Sequence, residues 1–271
     1  NLIIGGYTNY GINELKPWVL SAKEVTNENT DIVLVAGNTT KETVMWLQEQ
    51  GVIVMPMTQV KDIPIHVLRF LSIYDYLKNH HQDYKFVVTT DVKDVYFQGN
   101  PFKYLDYNNI GVRDLEQLVC GSECLKYKDE SWGDDNLKQA YGPYIHSLFE
   151  DETIYNVGVL GGTSEYVKDL VFNIFSNASN RPIQIVDQAV FNVLLNTQPY
   201  KDVTFKAQMF DAWACQAGTV VDPSKIEGFR PNLTEPEPMM EDGIVKTSEG
   251  KTFCIVHQYD RVPEWKKYIQ V

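Results

Sequence analysis

The chain has too few cysteines to be stapled, too few basic residues to hold a polyanion by its net field, and no apolar stretch long enough to span a bilayer. Its four cysteines, Cys120, Cys124, Cys215 and Cys254, cannot form a disulfide framework. Only "CGSEC" at 120–124 has a ligand-like spacing, and no second Cys or His pair stands where a zinc site needs one. The formal charge of −12, from 24 basic and 36 acidic residues, disfavours nonspecific association with nucleic acid or an anionic membrane. A phosphate ligand therefore needs a local device such as a metal ion. Without a run of about eighteen apolar residues there is no membrane-spanning helix, and the first residues show no signal-peptide pattern. The chain begins with Asn rather than Met, which leaves room for a removed upstream segment and any anchor it carried.

Several familiar signatures are missing as well. "GGYTNYG" at 5–11 does not fit G-x-G-x-x-G, and "SEGKT" at 248–252 lacks the P-loop glycine, with Val245 in its place. There is no G-x-S-x-G elbow, zincin helix or EF-hand loop. The sequons at Asn38, Asn177 and Asn232 are of a kind that arises by chance.

What is present is a β-α-β-α-β-α-β alternation. "NLIIGGY", "DIVLVAG", "VIVMPM" and "YKFVVTTD" read as buried strands. Between them, "NELKPWVLSAKEV", with Asn13 as N-cap, "TTKETVMWLQEQG", stopped by Gly51, and the helix opened by Pro64 carry helical spacing. His80 and His81 close that last helix, where an imidazolium suits the dipole. The alternation predicts an α/β fold with a mainly parallel central sheet and helices on both faces. Beyond Asp94 it loosens. "NNIGVRD" reads as a strand, 114–135 as irregular, "DNLKQAYGPYIHSLFED" as a helix and "TIYNVGVLGG" as a strand. "SEYVKDLVFNIFSNA" and "IVDQAVFNVLLNT" read as helices, "RPNLTEPEPMMEDG" as an exposed flap and "TFCIVHQYD" as a late strand. No repeat or linker divides the chain.

The stretch "FVVTTDVKDVYFQGNPF" ends a buried strand on two carboxylates, Asp91 and Asp94. Open α/β sheets bind ligands at the C-terminal ends of their strands. Residues three apart do not share a strand face, so the two carboxylates converge only if the chain turns after Asp91. The competing reading is a solvated turn.

Four pieces in order, "TTDVKD", "YNVGVLGG", "VDQAVFN" and "IVHQYD", resemble the GT-A superfamily of nucleotide-sugar-dependent glycosyltransferases. They are most similar to the branch containing glycogenin and galactinol synthase. The resemblance implies one GT-A (Rossmann-like) domain over 1–271, with a nucleotide-binding half to about residue 100 and a smaller donor-sugar and acceptor region after it. It implies Mn²⁺ or Mg²⁺ on Asp91, Asp94 and His257, suited to a leaving diphosphate in an acidic protein. Gly6, Tyr7 and Thr8 would cradle the base, Tyr7 stacking on it, with Arg69 on the donor phosphate or sugar and Asp91 available to the ribose. An ion pair of Arg69 with Asp75 or Asp91 is the alternative. Asn156, Gly161, Gly162, Asp187 and Gln188 would meet donor sugar and acceptor. Asp187 is the base if the reaction inverts the anomeric centre, and otherwise binds sugar hydroxyls. Among tryptophans able to stack on a sugar, Trp213 comes before Trp132 and Trp265. The chain departs from the family's Asp-x-Asp, with Lys93 third and the second carboxylate at Asp94.

The expected activity is transfer of a hexose or pentose from a UDP- or GDP-sugar to a glycan or small hydroxyl acceptor, with no nucleic-acid partner. The rivals are an Asp-dependent phosphatase or phosphotransferase and a non-catalytic nucleotide-sugar-binding protein. The expected compartment is the cytoplasm, with the Golgi lumen as the alternative for a domain separated from its anchor.

Overall fold

The strands and helices expected in the first ninety residues all form. A computed structural model describes residues 1–269. It begins with β1 (Leu2–Tyr7), α1 (Ile12–Val25), β2 (Asp31–Ala36), α2 (Lys41–Glu49), β3 (Ile53–Pro56), α3 (Ile65–His80) and β4 (Phe86–Thr90). Successive strand residues face opposite helices. Ile3, Leu34 and Val88 pack with Leu15, Trp18 and Leu47. Leu2, Val33 and Val87 pack with Leu68, Phe70 and Ile73. Covered on both faces, these strands read as continuous apolar runs rather than alternating ones.

Helix boundaries follow local chemistry. α1 is capped at Gly11 rather than Asn13, and Glu14 Oε2 accepts the Gly11 N–H at 3.0 Å. Thr40 Oγ1 accepts the Thr43 N–H at 3.1 Å to start α2. Gly51, with φ of 79°, supplies the left-handed residue just after α2.

The second half follows as β5 (Val95–Phe97), α4 (Pro101–Tyr107), β6 (Leu118–Lys126), α5 (Ser131–Phe149), β7 (Thr153–Thr163), α6 (Ser164–Ala178), α7 (Asp187–Leu195), α8 (Tyr200–Val203) and β8 (Thr204–Ala207). It closes with β9 (Ala214–Gln216), α9 (Ala217–Val220), α10 (Ile226–Phe229), β10 (Met239–Glu241), β11 (Ile244–Lys246), β12 (Ile255–His257) and α11 (Pro263–Ile269). The main sheet runs β3-β2-β1-β4-β7-β6-β8. Of its seven strands only β7 runs against its neighbours. A small second sheet, β5-β12-β9, stands beyond the end of β4.

Two expectations need correction here. "NNIGVRD" is a turn, because Asn109 at φ 58° and Gly111 at φ 83° are left-handed positions that break a strand. Residues 114–135 hold the nine-residue β6, buried along almost its whole length despite Ser122 and Glu123. The Pro- and acid-rich segment is largely exposed, as expected, and is also tied down. Thr234 N–H donates to Cys124 O at 2.9 Å, and Glu235 accepts the N–H groups of Met209 and Phe210 at 2.9 Å each. Among the described residues no helix is long and apolar enough to cross a membrane, and all four cysteines are buried and free.

Candidate active site

After Thr90 the chain leaves β4 and turns through residues 91–94, and this turn lets two carboxylates three residues apart face the same point. Asp94 O accepts the Gln258 N–H at 2.7 Å, which locks the turn to the end of β12. Asp91, Asp94 and His257 then offer one ligand atom each within 4.8 Å of one another. His257 Nε2 lies 3.4 Å from Asp91 Oδ2 and 3.8 Å from Asp94 Oδ1.

The imidazole is only 2% exposed, and burial lowers its pKa below the usual range, which keeps it neutral. Its Nδ1 sits 2.8 Å from Gln216 Oε1, the residue opposite it in the β9–β12 register. An amide oxygen only accepts, so Nδ1 carries the hydrogen and Nε2 turns its lone pair toward the carboxylates. That buried Nε2 has no hydrogen-bond partner. A neutral imidazole nitrogen left bare beside two carboxylates is an unfavourable set by itself and a good one for a divalent cation. The residues present therefore fit a metal of the Mn²⁺ or Mg²⁺ type. Replacing Gln216 by Met, which keeps bulk but removes the acceptor, is expected to weaken Mn²⁺ binding by about 10–100-fold in calorimetric titration. Gln216→Glu retains an acceptor and should retain most of the affinity.

Gly158 makes room for this cluster. A Cβ there would lie 2.5 Å from His257 Cε1 and 2.9 Å from Asp91 Oδ2. Its carbonyl accepts the Asp91 N–H at 2.7 Å, so β7 and the acidic turn are joined at this residue.

Arg69, on α3, is the cation shared by two carboxylates of the site. Nη1 contacts Asp91 Oδ1, Nη2 lies 3.1 Å from Asp187 Oδ2, and Nε donates to His66 O at 3.2 Å. Asp75, the other partner considered for it, pairs instead with Lys78 at 2.7 Å. Arg69 thus ties the end of β4 to the start of α7, and removing it would strand two carboxylates at a cost of about 3–5 kcal/mol.

Two cavities meet at Arg69 and Asp91. The first, about 340 Å³, is bordered by Gly6, Tyr7, Thr8, Tyr10, Lys93 and Asp94. The Tyr7 ring is 1% exposed and its hydroxyl lies 2.9 Å from Thr39 Oγ1, so it is not available for stacking. Tyr10 lies parallel to it at 6.4 Å, half-buried, and is the accessible aromatic of that cavity. The second cavity, about 280 Å³, is bordered by Asn156, Gly158, Asp187, Gln188, His257 and Glu123 among others.

The remaining expected residues separate into two groups. Asp187 and Gln188 reach the second cavity, but both ends of the Asn156 amide are already used. Its Nδ2 donates to Glu123 Oε1 at 2.6 Å, and its Oδ1 accepts the Gly158 N–H at 2.7 Å. Gly161 and Gly162 pair with Val88 and Val87, back along β4 from Asp91, and border neither cavity. Trp213 is 0% exposed with its ring against the Gly161 backbone and Tyr104, so it cannot stack on a sugar. Trp265 is buried too, whereas Trp132 is 49% exposed and borders the second cavity.

Sequence reasoning missed Glu123. It is 5% exposed in the middle of β6, and it accepts hydrogen bonds from Asn156, from Gln188 Nε2 at 3.1 Å and from Thr219 Oγ1 at 3.3 Å. It has no ion-pair partner among the described residues, and burial pushes its pKa up, with a further push from the Glu130 charge. A charged residue inside the apolar run "LVCGSECL" was the available signal.

These features define a class: an α/β domain whose mainly parallel sheet carries an Asp/Asp/His cluster at the C-terminal end of an inner strand, with a cavity on either side. No protein-family model and no curated protein matches the sequence. Solved structures do match. The galactosyltransferase LgtC, crystallised with donor and acceptor sugar analogues, superposes with a TM-score of 0.52 over 95% of this chain and 86% of its own, at 13% identity. At that identity the likeness is one of fold, and the chain has the GT-A fold.

Proposed function

We propose that this protein is a divalent-metal-dependent glycosyltransferase that moves a sugar from a UDP- or GDP-sugar to a hydroxyl acceptor. The observation that carries the reading is the seam at Arg69 and Asp91, where two cavities meet beside the Asp91, Asp94 and His257 cluster of a GT-A fold. The nucleoside occupies the cavity of Gly6, Thr8 and Tyr10, and the sugar enters the cavity of Asp187 and Gln188. Asp91, Asp94 and His257 would hold the cation, which would supply positive charge to a leaving diphosphate.

The chain's own residues divide the other tasks. Arg69 presents a guanidinium at the seam, fixed by Asp91 and Asp187. Asp187, held by that guanidinium, is suited to orienting sugar hydroxyls. Glu123 makes no ion pair among the described residues and has a raised proton affinity, so it is the carboxylate suited to take the acceptor hydroxyl's proton. The acceptor oxygen then bonds to the anomeric carbon as the bond to the diphosphate oxygen breaks. Asp91 is engaged by Arg69 through Oδ1, which argues against a phosphoaspartate mechanism.

Thermal-shift titration with UDP, GDP and their sugars, with and without Mn²⁺, tests the reading. One nucleotide class should stabilise the protein only when metal is present, by about 2.7 kcal/mol at a hundredfold excess over Kd. Absence of a shift with every nucleotide contradicts it.

Glu123 has its own signature. Its folded-state pKa is raised, so the folded protein holds that proton more tightly than the unfolded chain. Ionisation therefore costs stability above the folded pKa, and the cost disappears as pH falls below the ordinary value of 4.5. Glu123→Gln should raise Tm at pH 8, with the gain shrinking toward pH 4.5, while turnover drops about a hundredfold. A Tm difference that does not vary with pH would contradict the assignment.

A further inference from the structure

The cavity of Asp187 and Glu123 has an apolar rim apart from the nucleotide-side cavity. Trp132, Ile185 and Phe229 border it, and none of them borders the nucleotide-side cavity. Trp132 stands in the first turn of α5, where Glu130 accepts its backbone N–H at 3.4 Å. Its indole makes no ring stack, cation contact or hydrogen bond among the described residues, and Ile185 beside the same cavity is also exposed. Single exposed apolar residues are ordinary, but two exposed ones with the half-buried Phe229 around one polar cavity form a surface that a ligand can cover.

The floor beneath them is made of hydrogen-bonding groups. Among the described residues Glu123 Oε2 accepts only the long bond from Thr219, and Gln188 donates an amide N–H to Glu123 Oε1 while its own Oε1 has no partner. An aromatic side chain bordering the same cavity as carboxylate and amide oxygens matches a pyranose ring, which has an apolar C–H face and a hydroxyl edge. The cavity carries the carboxylates Asp91, Glu123, Glu130 and Asp187 against the cations Arg69 and Lys225, which disfavours an anionic sugar.

We propose that this rim and floor are the acceptor subsite, that Trp132 is its stacking platform, and that the acceptor is a neutral saccharide. The proposal rests on the glycosyltransferase reading, which places the donor's nucleotide on the other side of Arg69.

The test is calorimetric titration of lactose, maltose and cellobiose into wild type, Trp132→Phe and Trp132→Ala, with Mn²⁺ and UDP or GDP present. At least one disaccharide should bind wild type. Trp132→Phe should keep most of the affinity, and Trp132→Ala should lose about three- to tenfold. Tryptophan fluorescence should shift on binding in wild type and not in Trp132→Phe. Equal affinity in all three proteins, or no binding of any disaccharide to wild type, overturns the proposal. The nucleotide-dependent thermal shift, read on the same samples, judges the transferase reading separately. A shift without saccharide binding leaves that reading intact and removes this one.

Discussion

Asp94→Asn is expected to abolish the Mn²⁺-dependent rise in Tm produced by nucleotide, while leaving the metal-free Tm unchanged or higher. The Asp94 side chain makes no hydrogen bond among the described residues. Its Oδ1 lies 3.8 Å from His257 Nε2 in the cluster. Its structural work is done by the backbone, through the carbonyl that holds Gln258. An isosteric amide therefore keeps the turn and removes one of the carboxylates that crowd it. Mn²⁺ affinity should fall at least a hundredfold. The lost stabilisation is about 2.7 kcal/mol at saturating nucleotide, or roughly 5 °C for a chain of this size. Asp91→Ala should behave differently, lowering Tm even without metal, because Arg69 and Asp187 then lose the third member of their ion pair. Calorimetric titration with Mn²⁺ and a melt of each apo protein separate the two roles. Equal apo melting with equal metal loss in both variants would contradict this division.

Gly158→Ala should be the most damaging single methyl group in the site. The added carbon would sit 2.5 Å from His257 Cε1, 2.8 Å from Asn156 Oδ1 and 2.9 Å from Asp91 Oδ2. None of the three can retreat cheaply, since the imidazole is fixed by Gln216, the Asn156 amide by Glu123, and Asp91 by Arg69. Overpacking of this kind costs about 1–3 kcal/mol. Here it also separates the ligands, so Mn²⁺ binding should fall as far as in Asp94→Asn. Gly161→Ala is the control. Its Cβ would meet Trp213 and Val88 at 3.2 Å, so it should lower Tm and spare the metal. Metal binding retained in Gly158→Ala would show that the cluster does not form as described.

Much of this architecture was legible in the residues because the signals were local. Strands β1, β2 and β4 are covered on both faces and read as plain apolar runs, and α1 to α3 carry their own periodicity and caps. The convergence of Asp91, Asp94 and His257 was legible as an order of motifs, although the turn that achieves it is set by contacts with β7 and β12. β6 was lost because its burial comes from pairing with β7 and β8, which lie far off in sequence, and because Glu123 and Ser122 look like loop residues. The same cause hid Gln216, whose role exists only once β9 lies beside β12. Trp213 and Tyr7 were misplaced for the opposite reason. An aromatic residue close in sequence to a site motif is as well suited to packing behind the site as to facing it.

Release of nucleoside diphosphate from UDP- and GDP-sugars, measured with and without Mn²⁺ in wild type and Asp94→Asn, tests the central claim most directly. The account predicts metal-dependent release from one nucleotide class by the wild type and almost none by the variant. Release that ignores both the metal and the Asp94 substitution, or no release from any donor, would contradict it.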